Sequence, residues 1–132
     1  MRTVAAPPVT DRSHVFAELR ALMIRSAPAA TLLRDEPGHI ELAGPDREAK
    51  SGDLVWFGMT KIGARAVSYH LMPLYSDPSL GTALSAGLEK RRQGKSCFNF
   101  TKVDPALFAE LSDLTRRCAC FDFWASRYIK AN

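Results

Sequence analysis

Three stretches of this sequence hold side chains whose types and spacing suit chemistry. In the first, His70 lies within Val67-Ser68-Tyr69-His70-Leu71, a run rich in strand-forming residues. A Cys/His pair does nucleophilic chemistry when the thiol and the imidazole touch and a third group orients the ring. Cys97 is the candidate thiol, and Asn99 the candidate orienting group. The simpler reading is a histidine satisfied by one hydrogen bond on a half-exposed sheet. In the second stretch, Gly94-Lys95-Ser96 has the form of a phosphate-loop ending, but the position five before Gly94 is Glu89 rather than glycine. The loop must also follow a strand and open a helix, whereas this segment follows a helical pattern and opens a strand-like one. That excludes nucleotide hydrolysis on this motif. In the third, Cys118-Ala119-Cys120 offers two thiols to a soft metal, and only Cys97 and three histidines remain to complete a set of four ligands. Cysteines closing an amphipathic helix serve as core residues. No metal or cofactor is expected.

The elements that must position these residues follow from periodicity. Residues 1–10 read as a disordered tail, and residues 11–132 as a single domain. Val15, Phe16, Leu19, Leu22 and Met23 recur at helical spacing, and Pro28 ends that helix. Residues 39–42 suggest a short edge strand, residues 43–53 a loop, and residues 54–60 and 66–72 a hairpin about Gly63. Asp77-Pro78 and Asp104-Pro105 each predict a helix start. The aspartate can cap free N–H groups, and the proline needs none. The first helix should run through Leu80, Ala83, Leu84 and Leu88, the second through Leu107, Phe108, Leu111 and Leu114. Residues 96–101 read as a strand between them, and Phe121, Trp124 and Tyr128 share a helical spacing near the end.

The expected fold is therefore α+β, a mainly antiparallel sheet of about four to five strands with helices on one face. Side-chain alternation puts Val55, Phe57, Met59, Val67, Tyr69, Leu71, Phe98 and Phe100 toward the helices. It leaves Trp56, Gly58, Ser68, His70, Cys97 and Asn99 on the other face.

Composition narrows the function classes. The 132 residues carry a net charge of +4, and residues 86–102 alone carry Lys90, Arg91, Arg92, Lys95 and Lys102 against Glu89. Such a patch attracts anions, although cations also close helices for local electrostatic reasons. A single aromatic on the mixed face and 14 acidic residues disfavour nucleic acid. No apolar run is long enough to cross a membrane. Three cysteines, two of them one residue apart, point to reduced thiols and a cytoplasmic location.

Val55-Trp56-Phe57-Gly58, the run from Val67 to Tyr75, and Gln93-Gly94-Lys95-Ser96-Cys97-Phe98-Asn99-Phe100 together resemble the YdhG-like family, a domain-of-unknown-function family of small bacterial proteins. The resemblance covers about half the chain. It implies an α+β fold with helices against an antiparallel sheet, and a suggested link to intracellular iron handling. Iron sites favour clustered carboxylates, whereas the acidic residues here are dispersed.

The expected function is a non-enzymatic binding or accessory domain for a small anionic ligand or a protein partner. The candidate ligand-binding residues are Trp56, Ser68, Tyr69, His70, Lys95, Ser96, Cys97 and Asn99. Lys95 would supply charge, Ser96 and Asn99 hydrogen bonds, and Trp56 a stacking surface. The alternatives are a small enzyme with Cys97 as nucleophile and His70 as base, and a metal-handling protein. A homodimer, or the aromatic tail, would instead bury the mixed face.

Overall fold

A computed structural model describes residues 7–48, 54–120 and 128–129. In chain order the elements are α1 (Pro7–Ser26), β1 (Thr31–Glu36), β2 (His39–Glu48), β3 (Leu54–Ile62), β4 (Val67–Leu71), α2 (Pro73–Ser76), a 3₁₀ turn (Pro78–Gly81), α3 (Ala86–Arg91), β5 (Arg92–Gln93), β6 (Cys97–Phe100), α4 (Pro105–Ala119) and β7 (Tyr128–Ile129). The fold is α+β. The strands form one antiparallel sheet in the order β1-β2-β3-β4-β6-β5, and β7 pairs with β2 beyond the end of β1.

The apolar stripe of α1 buries Val15, Phe16, Leu19, Leu22 and Met23 against the sheet. The stripe of α4 does the same with Phe108, Leu111, Leu114 and Cys118. Each stripe repeats every three to four residues, as one helix face does. Where the two helices meet, Ser26 Oγ and Ser112 Oγ share a buried hydrogen bond of 2.7 Å. Asp104 caps α4 as expected, its Oδ1 accepting from the Leu107 N–H at 3.2 Å. Phe100 packs edge-on against Phe108, with centroids 5.0 Å apart.

Several sequence expectations are corrected. The helix expected after Asp77 is broken in two. Asp77 accepts from the Ser79 N–H and hydroxyl and caps only the 3₁₀ turn. Ala83 then takes φ 60°, which a helix cannot continue through. The chain restarts at α3, where Ser85 Oγ caps the Leu88 N–H. The segment of residues 39–42 is not an edge strand, because β2 runs on to Glu48 and lies between β1 and β3. Strand β1 is the actual edge; Gly38, with φ 77°, permits the turn that joins it to β2. This hairpin and the two-residue β5 take the strand count above the expected four to five. Residues 1–6 of the expected tail, 49–53 of the expected loop and 121–127 of the aromatic segment lie outside the described residues, while residues 7–10 are helical and Tyr128 is in a strand.

A bulge in β3 decides which side chains face the helices. Leu42 pairs with Gly58 but Ala43 pairs with Trp56, so Phe57 is the extra residue. Its carbonyl accepts from the Met72 N–H at 2.8 Å. Strict alternation therefore fails across this point. Val55 and Phe57 face the core and Trp56 faces away, as expected. Beyond the bulge the phase inverts. Gly58 pairs with core-facing Leu71, and Met59 pairs with outward-facing His70. A Cβ on Gly58 would stand 2.5 Å from the His70 carbonyl oxygen and 3.1 Å from Met23 Cε, so β3 and α1 close on a position with no side chain.

Candidate functional site

The bulge, the β4–β6 register and the turn before β6 assemble one cluster on the sheet face opposite α1 and α4. Met59 and Cys97 are the direct cross-strand neighbours of His70, one on β3 and one on β6. Directly paired residues share a face, so thioether, imidazole and thiol form a row across three strands. Trp56, turned outward by the bulge, stacks on His70 with ring centroids 5.2 Å apart and planes 27° from parallel. Its indole Nε1 is buried and has no hydrogen-bond partner among the described residues. A buried donor without an acceptor is rare and costs about 1–3 kcal/mol.

His70 Nε2 lies 3.0 Å from Ser96 Oγ. Burial lowers the His70 pKa below its ordinary value and raises that of the Cys97 thiol. Both groups are therefore held neutral, the reverse of the thiolate–imidazolium pairing that activates a nucleophilic cysteine. Among the described residues no hydrogen bond joins Cys97 to His70, and Asn99 does not orient the ring. Asn99 donates instead to Gln93 Oε1 at 2.9 Å. The arrangement is suited to stacking and hydrogen bonding, and it lacks the polarity that thiol catalysis needs.

Lys95 stands at the rim in the β5–β6 turn, which Gly94 enables with φ 70°. Its ammonium lies 5.7 Å from the ring centroid of Tyr75, an exposed aromatic. The turn is clamped from below by Arg92, whose Nε and Nη2 donate to the Lys95 carbonyl at 3.0 and 2.7 Å and whose Nη1 donates to the Gly81 carbonyl at 3.0 Å. No family model, curated protein or solved structure matches the chain.

The eight candidate residues thus separate. Trp56, His70, Ser96 and Cys97 come together, with Lys95 at the edge. Ser68 and Asn99 pair with each other farther along the same face, and Ser68 Oγ donates weakly to the Lys61 carbonyl at 3.4 Å. Tyr69 lies on the opposite face, fully buried, with its hydroxyl 2.6 Å from Thr115 Oγ1. Alternation from His70 already implies that placement. Sequence reasoning missed Met59, because no residue type announces a bulge. It also missed Arg92, which it counted with the patch although its side chain is only 14% exposed. The Cys118-Ala119-Cys120 pair diverges. Cys118 is buried, its pKa pushed up to about 12 chiefly by that burial, while Cys120 is exposed. Among the described residues no group of three His, Cys, Asp or Glu is placed to hold a metal ion. No described helix is long and apolar enough to cross a membrane.

Proposed function

We propose that this chain is a binding or accessory domain, resembling the YdhG-like proteins and working in the cytoplasm, whose sheet face opposite α1 and α4 takes a small, flat, anionic ligand. The observation that carries the proposal is the Trp56–His70 stack with a buried indole N–H that has no acceptor among the described residues. The stack offers a planar wall, the N–H asks for an acceptor atom, and Lys95 at the rim favours a negative one. Neutral His70 and Cys97 speak against the thiol-enzyme alternative.

The test follows the indole directly. With Trp124→Phe, Trp56 is the one tryptophan left of two. Its fluorescence and its indole N–H resonance are followed while aromatic and aliphatic carboxylates are titrated in. The expected result is saturable quenching by a planar carboxylate, weakened by His70→Ala and by Lys95→Ala with little change in melting temperature. An indole signal unmoved by every carboxylate in the series would overturn the reading.

A second reading has support of its own. Strand β7 pairs Tyr128 with Glu48 and Ile129 with Arg47, at the end of β2 nearest Trp56. Because β2 neighbours β3, which carries Trp56, the second reading has the chain's own last segment as the occupant of the stack. Removing residues 121–132 would then raise carboxylate affinity, whereas a ligand face open in the whole chain would be unaffected.

A further inference from the structure

A separate feature lies where α3, the end of β6 and the start of α4 meet. A cleft of about 200 Å³ is lined there by Gly87, Lys90 and Arg91 of α3, Phe100 of β6, Thr101 and Lys102 of the following turn, and Asp104 and Leu107 at the head of α4. We propose that this cleft is a second binding site, for a compact phosphoryl-bearing anion such as a pyrophosphate or a phosphate monoester.

Three cations converge on it from two sides. Lys90 and Arg91 come from the last turn of α3, and Lys102 comes from the turn across the cleft. Arg20, Arg34, Arg92 and Arg117 each pair with a carboxylate. Lys90, Arg91 and Lys102 form no ion pair or hydrogen bond with a described residue. Helix electrostatics accounts for Lys90 and Arg91, since cations suit a C-terminal turn. It does not account for Lys102, which belongs to no helix. The one opposing charge is Asp104, already occupied in capping α4. The lining is therefore left at +2, suited to a compact, multiply charged anion.

The remaining walls fit the same class. Thr101 adds a hydroxyl donor, while Phe100 and Leu107 provide an apolar side for the organic part of an ester. Gly87 keeps the cleft open, because a Cβ there would already stand 3.1 Å from Leu107 Cδ2. Arginine and lysine together supply a planar fork and a point charge, the usual complement of a phosphoryl group.

The probe is inorganic pyrophosphate, titrated calorimetrically into the full chain at constant ionic strength, with sulfate and chloride in parallel. Saturable binding to pyrophosphate is expected, with chloride inert. The pair Arg91→Ala with Lys102→Ala should weaken it by about tenfold or more, with the ligand-free melting temperature nearly unmoved because both side chains reach solvent. His70→Ala and Lys95→Ala should leave it intact, which separates this site from the sheet face. Three outcomes would overturn the proposal: no heat beyond matched chloride, equal loss with Lys95→Ala, or retention of binding when Arg91 and Lys102 are both removed. Tighter, steeply salt-dependent binding of a single-stranded oligonucleotide would also overturn it, in favour of an extended basic surface.

Discussion

Tyr69 and Thr115 form a buried pair whose two halves are chemically unequal. Thr115 has one hydroxyl hydrogen, and it donates that to the Leu111 carbonyl at 2.8 Å. Thr115 Oγ1 must therefore accept from the Tyr69 hydroxyl at 2.6 Å. Both residues are wholly buried, and burial raises the phenol's pKa above its ordinary value despite the Thr115 bond. Tyr69→Phe removes the donor and leaves Thr115 still bonded to Leu111, so it should cost about 1 kcal/mol. Thr115→Val keeps the shape but strands a buried phenol O–H, a desolvation penalty of about 2–3 kcal/mol. The double variant strands nothing and should lie near Tyr69→Phe alone, a coupling of about 2–3 kcal/mol. Urea unfolding of the four proteins at pH 7 measures the cycle, with the denaturant slope checked for constancy. Thr115→Val costing less than Tyr69→Phe, or strictly additive losses, would refute the assigned direction of the bond. Unchanged carboxylate binding in Tyr69→Phe would confirm that this tyrosine belongs to the core and not to the ligand face.

Three other expectations test the remaining architecture. Burial disfavours the proton on His70, whose folded pKa therefore lies below the ordinary 6.5; the unfolded chain takes up the proton first, so stability should fall as pH drops from about 7 toward 5, and His70→Gln should flatten that part of a urea-midpoint profile. With a disulfide-forming thiol reagent Cys120 should react at once, half-buried Cys97 slowly, and Cys118 only on unfolding, the total reaching the three thiols of the sequence. Because the folded Cys118 thiol resists ionisation, stability should also decline above about pH 9, and Cys118→Ala should lessen that decline. Asp104→Ala should cost about 1 kcal/mol, since it uncaps the 15-residue α4, whereas Asp77→Ala, which uncaps a single 3₁₀ turn, should cost less; equal losses in chemical denaturation would contradict the broken helix.

Local chemistry made much of this protein legible in its sequence. Asp104-Pro105 and the stripe from Phe108 to Cys118 specify α4 within a few residues, because a capped N-terminus and a 3.6-residue period act over short distances. Val67 to Leu71 reads directly as a strand buried on one face, since its period of two runs without interruption. That same period separated His70 from its neighbours. The chain's α+β class and the outward set of Trp56, His70 and Cys97 follow from those signals.

What tertiary structure decided are the points where the chain departs from its local pattern. The bulge at Phe57 arises from the pairing of β3 with β2 and from the Met72 N–H that takes its carbonyl; neither partner is near in sequence, so Met59 could not be placed. The break at Ala83 depends on a backbone conformation that alanine's type disfavours. Arg92 and Lys102 carry the same charge in one basic run, yet Arg92 is consumed holding a turn and Lys102 is left facing a cleft. Charge is a property of the residue, but its availability depends on which carbonyls and carboxylates the fold brings within reach.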